Sequence, residues 1–225
     1  NALAAARVLK AAGYVLHTLA ARGEHRCCGR TFLSVGMVEA AKSKASALIA
    51  ELLPFASAGI AVVGLEPSCL LTLRDEALVM GLGEGAQIVA ERALMFEEFV
   101  AREAEAGRFE LGFKPAQRPL LVHGHCHQKA FGALSPVLEV LRLIPNASPE
   151  LIESSCCGMA GSFGYEAGHY DVSMRMVQAN LLPAVLKSPQ AIVVADGTSC
   201  RQQIAHGAHR EAIHAARLLE WHFAD

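Results

Sequence analysis

Two adjacent cysteine pairs, Cys27-Cys28 and Cys156-Cys157, each run directly into a glycine, Gly29 or Gly158, and each precedes a single later cysteine, Cys69 or Cys200. The first cysteine of the pair lies 42 residues before the single one in the first set and 44 in the second. Any one cysteine reads as a small buried hydrophobe. A fixed order repeated at matching spacing is an internal repeat, and inert burial does not require it. Thiolates bind soft metals, and Cys126, Cys156, Cys157 and Cys200 could supply four sulfurs, a count that suits an iron-sulfur cluster or zinc. Gly29 and Gly158 allow the turn that would bring neighbouring cysteines toward one centre and let backbone N–H groups approach it. The first set offers Cys27, Cys28 and Cys69. Cys126 stands 30 residues before Cys156, and the same offset from Cys27 falls ahead of Asn1. The opening strand and cysteine of the first unit are therefore expected upstream of the sequence given, and the second site is expected to bind better.

Histidines and cations surround these positions. His123, His125 and His127 alternate about Cys126, so an extended strand would place all three on one face. His125 or His127 could be a ligand or proton relay, although a hydrogen-bonded histidine at a strand end is the simpler reading. Lys129, Arg175 and Arg201 could offset the charge of bound thiolates, Arg201 above all because it adjoins Cys200. Glu66 and Glu166 read as helix caps or turn acceptors, and Met159, Phe163 and Tyr165 as packing residues, with Tyr165 also suited to a partner surface.

The elements that must position these residues alternate along the chain. Helical patterns cover 34–53 and 168–186, each leading into a short apolar run, 60–65 or 191–195, of the kind that forms parallel strands buried on both faces. Residues 120–123 form another such run. A helix over 135–143, with Pro136 in its first turn, follows. The stretch 85–105 reads as one helix joining two units, 1–110 and 111–225, with the boundary near 107–118. The expected fold is α/β, with right-handed crossovers and ligands gathering beyond the carboxyl ends of the strands, where Cys69, Cys126 and Cys200 fall.

Composition excludes several classes. Twenty basic against 22 acidic residues leave a net charge of −2 with no basic stripe, so nucleic acid is not an expected partner. The most apolar stretch, 52–65, contains Pro54 and Gly59 and is too short to span a bilayer. A cytoplasmic location is expected, compatible with peripheral attachment on the cytoplasmic face of a membrane. Seven cysteines, an odd number, in an Ala- and Leu-rich chain of 225 residues point to reduced thiols rather than a disulfide scaffold. Gly81, Gly83 and Gly85 lack the strand-turn-helix setting of a dinucleotide fingerprint. Thiol-disulfide exchange by adjacent cysteines ranks last, because such bridges are strained.

The segments His125-Cys126-His127-Gln128-Lys129, Cys156 to Glu166 and Gly197 to Ile204, with Arg26 to Arg30 and Glu66 to Cys69, resemble the cysteine-rich (CCG) region of FAD-linked D-lactate and D-2-hydroxyglutarate dehydrogenases. More distantly the chain resembles the glycolate oxidase iron-sulfur subunit, the C subunit of anaerobic glycerol-3-phosphate dehydrogenase and the B subunit of heterodisulfide reductase. The resemblance implies two similar CCG-domain units related by a pseudo-two-fold axis. It further implies an iron-sulfur electron-transfer module that serves a flavin-linked oxidoreductase acting on a D-2-hydroxy acid and is not active alone. FAD would sit in a partner module or subunit, and an electron acceptor would complete the set. In heterodisulfide reductase the last cysteine belongs to a Cys-x-x-Cys, whereas Thr72 and Gln203 stand at that spacing here. This favours a conventional four-iron (4Fe-4S) cluster, with a zinc-stabilised interaction module as the alternative.

Overall fold

In the computed structural model, residues 1–19 and 26–223 are described. The chain opens with α1 (Ala2–Ala11), followed by α2 (Arg30–Ser34), α3 (Val38–Ser57), β1 (Val62–Gly64), α4 (Pro67–Arg74), α5 (Glu76–Val79), α6 (Glu84–Arg92), β2 (Ala93–Met95) and α7 (Phe96–Glu105). Then come β3 (Leu120–Val122), α8 (Cys126–Ala130), α9 (Ser135–Leu141), β4 (Pro149–Leu151) and a 3-10 turn at Phe163–Tyr165. The last elements are α10 (Tyr170–Ala179), α11 (Leu181–Lys187), β5 (Ile192–Val194), α12 (Thr198–Ala208), β6 (Ala212–Ile213) and α13 (Ala215–Trp221). Helices flank parallel strands, as the alternation in sequence predicts.

These elements form two compact units, Leu16–Phe99 and a larger one made of Asn1–Val15 with Val100–Asp225. The division differs from a single cut near residue 110. Helix α1 carries an apolar face of Ala4, Ala5, Val8 and Leu9, all buried, and packs on α13, so the amino-terminal helix belongs to the larger unit.

In the smaller unit β1 pairs in parallel with β2, Val62 opposite Ala93 and Gly64 opposite Met95. The sequence pattern predicts one helix from 85 to 105 in this region. The structure breaks it at Ala93–Met95, whose Ala93 and Met95 side chains are buried beside β1. Helix α3 packs on α2 and α6, with Ala41, Ala45 and Met80 buried at the centre and Phe32, Leu33 and Leu82 closing over them.

In the larger unit four parallel strands lie in the order β4-β3-β5-β6. Leu120 to Val122 and Ile192 to Val194 pair residue for residue at the centre. Their short apolar runs suit burial between helices on both faces. The helix expected over 168–186 is two helices. Pro183 has no N–H to give Ala179, so α10 stops there and Asn180 caps α11. Pro136 lies in the first turn of α9, where its missing N–H costs nothing. Val177, Leu181, Val185, Val193 and Ile204 form the core, and Cys157 and Cys200 are part of that same apolar cluster.

Candidate metal centre

Each cysteine of the larger unit is delivered by a strand exit or by a turn that a glycine permits. Strand β3 ends at Val122, and the chain reaches Cys126 at the start of α8. Strand β5 ends at Val194, and Cys200 lies in the first turn of α12. Between them, Cys156 and Cys157 precede Gly158, whose φ of +86° is one that side-chain-bearing residues rarely adopt. A Cβ there would lie 2.3 Å from the Ser173 carbonyl oxygen of α10, so the glycine also lets the turn press against the helix backbone. Its own N–H donates to Cys156 Sγ over 3.3 Å.

The four thiols act on one another in sequence, Cys126 on Cys156, Cys156 on Cys157 and Cys157 on Cys200, and the Cys157 and Cys200 sulfurs lie within 4.8 Å of each other. Protons are shared unevenly along this series. Hydrogen bonds from Cys126 and Cys157 hold Cys156 well below the ordinary thiol range, with the Gly158 N–H adding to the effect. Cys200 is also lowered, by Cys157 first and by His123 after it, against the opposing effect of burial. Cys126 and Cys157, the donors, are raised by those same bonds and by desolvation. The site therefore holds two sulfurs disposed to be thiolates, and two more that become so once a metal displaces their protons.

A cation stands beside this anionic group. Lys129 Nζ donates to the carbonyl oxygen of Ser154 and, over 3.1 Å, to that of Ser155. Burial lowers its pKa, and the Cys200, Cys126, Cys156 and Cys157 charges act against that shift. Arg201 turns elsewhere. Its guanidinium donates to the carbonyls of Ala195 (2.9 Å) and Asp196 at the exit of β5 and to Thr198 Oγ1 (3.0 Å). Arg175 is bonded to the Asp171 carbonyl on the exposed side of α10.

The three histidines do not share a strand face, because β3 stops before them. His125 is the N-cap of α8: its Nδ1 accepts from the His127 N–H at 3.1 Å, and its own N–H donates to Gln128 Oε1 at 3.0 Å. The His125 and His127 rings stack 5.1 Å apart, within 3.9 and 3.7 Å of Cys126 Sγ. His123 points inward. It is 1% exposed, and one of its ring nitrogens and the Cys157 and Cys200 sulfurs all lie within 4.8 Å of one another. Of the residues read as packing, Met159 is buried, while Tyr165 is 62% exposed because the 3-10 turn lifts it off the core.

The groups that hold this arrangement were not singled out by sequence reasoning. Gln128 Nε2 donates to Asp196 Oδ2 at 2.9 Å, and Asp196 Oδ1 accepts from the Ala215 N–H at 3.0 Å. One buried carboxylate thus ties the exit of β5 to α8 and α13. The signals are present in the sequence: a Gln three residues after an N-cap, and an acid immediately after an apolar run. Gly197 matters for space, since a Cβ there would lie 2.4 Å from His125 Cδ2 and 3.2 Å from Cys200 Sγ.

The smaller unit repeats part of this design. Gly29 has the same φ, +86°, its missing Cβ would lie 2.5 Å from the Ala41 carbonyl of α3, and its N–H reaches Cys27 Sγ at 3.4 Å. Cys69 lies in the first turn of α4 and hydrogen bonds Cys28, which lowers the Cys28 thiol and raises its own. Ser68 donates to Glu66 Oε1 at 3.0 Å. Cys69 is exposed, whereas Cys200, its counterpart in order, is buried.

Soft, converging sulfurs with an adjacent cation and a buried imidazole fit a thiolate-ligated metal or cluster by the chemistry of the donors. Comparison with known proteins agrees. Residues 121–205 match the cysteine-rich domain family CCG. The chain is 26% identical over 214 residues to the C subunit of the anaerobic glycerol-3-phosphate dehydrogenase of Escherichia coli (strain K12), covering 95% of this chain and 52% of that protein. It is 28% identical over 152 residues to the D-2-hydroxyglutarate dehydrogenase of the same organism, covering 66% of this chain and 14% of that protein. The match to the Pantoea ananatis D-2-hydroxyglutarate dehydrogenase is 26% over 153 residues. The chain thus spans about half the length of the glycerol-3-phosphate dehydrogenase component and a small part of the others. No helix among the described residues is long and apolar enough to cross a membrane. The segment that carries Cys126, Cys156, Cys157 and Cys200 thus resembles the CCG cysteine-rich domain, and the chain as a whole resembles these dehydrogenase components.

Proposed function

We propose that the chain is the iron-sulfur electron-transfer module of a flavin-linked dehydrogenase, with Cys126, Cys156, Cys157 and Cys200 as ligands of a four-iron cluster. The observation that carries the reading is the chain of four thiols brought from three separate segments to one place, with Lys129 beside it. A bound cluster supplies one-electron chemistry without proton bookkeeping. The protein's part is to hold four thiolates, offset their charge with Lys129, donate the Gly158 N–H to a ligand sulfur and keep water from Cys157 and Cys200. The substrate would be oxidised on an FAD-bearing partner, and a D-2-hydroxy acid is the class suggested by the two D-2-hydroxyglutarate dehydrogenases, whereas the glycerol-3-phosphate dehydrogenase component points to a secondary alcohol without a carboxylate. This chain would pass electrons to an acceptor, on the cytoplasmic side.

The smaller unit is proposed to be a second copy of the same design, with Cys27, Cys28 and Cys69 as an incomplete ligand set. The matching glycine turns and their matching approach to a helix carbonyl support duplication. A zinc-stabilised module without redox activity is the second reading, favoured by the mixed group of His123, Cys157 and Cys200, whose donors are those of structural zinc sites.

The test is anaerobic reconstitution followed by iron, sulfide and zinc analysis and visible spectra before and after reduction, on the chain and on Cys156→Ser. Iron with sulfide and a bleachable band, lost in the variant, is the expected result. Stoichiometric zinc with no redox change would replace electron transfer with the structural reading.

A further inference from the structure

We infer that His123 supplies an imidazole nitrogen, Nε2, to the metal centre at Cys157 and Cys200, so that the centre has mixed sulfur and nitrogen ligation. The inference rests on the metal-binding reading above and changes its ligand set: a four-iron cluster takes one protein ligand per iron, so His123 would replace one of the four cysteines there, whereas a single zinc ion would take His123, Cys157 and Cys200 together.

The backbone fixes the residue first. The His123 N–H donates to the Val194 carbonyl at 2.8 Å, continuing the β3 to β5 pairing by one bond and holding the Cα at the sheet edge from which Cys200 also departs. The ring is then set from one side only. Nδ1 lies 2.9 Å from Ser154 Oγ, and Ser154 is itself held by its N–H on the Ile152 carbonyl and by Lys129 on its own carbonyl. Nε2 is buried without a conventional hydrogen-bond partner. Buried polar atoms are almost always paired, and the exceptions concentrate where a ligand is due.

What faces His123 is sulfur. One ring nitrogen and the two Sγ atoms lie within 4.8 Å of one another, and all three residues are buried. Donors bonded tetrahedrally to one ion at about 2.0 to 2.3 Å lie about 3.3 to 3.8 Å apart, so side-chain movements of about 1 Å bring the three onto one ion. The serine supplies the remaining constraint. Donation of Nδ1–H to Ser154 Oγ leaves the Nε2 lone pair free, which is how outer hydrogen bonds orient metal-bound histidines. His125 is less suited, since its Nδ1 is engaged in capping α8.

The experiment uses the full chain, loaded in parallel with iron and sulfide and with zinc, and with histidine nitrogen labelled as 15N or left as 14N. Pulsed electron paramagnetic resonance on the reduced iron form and X-ray absorption at the zinc edge read nitrogen coordination directly, whatever the activity. The expected result is a histidine nitrogen coupling or scatterer in the wild type that disappears in His123→Ala, with zinc affinity weakened by about 10-fold or more. Ser154→Ala should retain the nitrogen signal with weaker affinity. Sulfur-only coordination in the wild type, or a nitrogen signal that persists in His123→Ala, overturns the assignment. If His123→Ala fails to fold, the labelled wild-type spectra decide alone. Zinc bound through sulfur and this nitrogen, with no iron or sulfide uptake, would sink the electron-transfer reading and leave the His123 assignment standing. Uptake of neither metal overturns both.

Discussion

Gly158 donates its backbone N–H to the Cys156 sulfur at 3.3 Å while the face where a side chain would grow is filled by the Ser173 carbonyl. The residue joins a ligand sulfur to helix α10 with nothing between them. Gly158→Ala must therefore leave a positive φ or push α10 away. It should destabilise the protein by about 2 to 4 kcal/mol, seen as a lower urea midpoint, and lose bound metal in proportion. Gly29→Ala should show a comparable stability loss without affecting metal held at Cys126 to Cys200.

Gly197→Ala separates space from backbone strain. Gly197 has an ordinary φ of −70°, so the added methyl acts only through contact with His125 and Cys200. Metal affinity should fall by about 10-fold, with a stability cost of about 1 to 3 kcal/mol. A dialysis measurement against a competing chelator reads the first, and thermal unfolding of the metal-free chain reads the second. Unchanged affinity would show that His125 can yield without disturbing Cys200.

Lys129→Met keeps the aliphatic stem and removes the charge. The centre's reduction potential should move negative, because the cation that favours the extra electron is gone. Arg175→Met should leave the potential unchanged, its guanidinium being exposed and bonded to the Asp171 carbonyl. Redox titration of the two variants beside the wild type checks the contrast.

Glu103 gives a prediction that does not involve metal. Its carboxylate accepts from Arg108 through two bonds of 2.8 Å and from Tyr14 at 3.2 Å, and the Arg108 hydrogen bonds draw its pKa down from 4.5 to about 2. A carboxylate lowered by folding stabilises the native state fully above its unfolded value and loses that contribution as pH falls toward its folded value. Between about pH 5 and pH 2, stability should therefore decline by about 1 to 3 kcal/mol on this account, the lower figure reflecting the exposure of Arg108. Glu103→Gln should lower stability at pH 7 and flatten the decline over that window in urea unfolding.

The sequence was most informative where chemistry restricts residue type. Cys-Cys-Gly followed by Ser-Cys is legible because thiolates and a positive φ admit few substitutes, and Cys157 and Cys200 lie within 4.8 Å of each other. Strands β3 and β5 are legible as apolar runs. Strands β2, β4 and β6 are not: Pro149-Glu150-Leu151 is half exposed, Ala212-Ile213 is two residues long, and Ala93-Leu94-Met95 continues a helical pattern. The role of His123 was hidden for another reason. Alternation predicts a common face for His123, His125 and His127 only while the chain stays extended, and β3 ends at Val122 with His125 already capping α8. Asp196 and Ser154 act through partners 68 and 31 residues away, a distance that no local pattern reports.

The order of strands in the larger sheet sets when the sulfurs can meet. Strand β3 pairs with β5 across 72 residues, with β4 added on the far side of β3. Cys126 and Cys200 are therefore strangers in the nascent chain until a crossover containing α8 to α11 has been laid down and closed. Long-range parallel pairing of this kind is slow, because the loop entropy is lost before the contacts form. Of the four cysteines of the larger unit, only Cys156 and Cys157 are neighbours in the nascent chain. On the proposed reading, loading would follow sheet closure, and growth conditions that slow folding should yield chains with intact thiols and little metal.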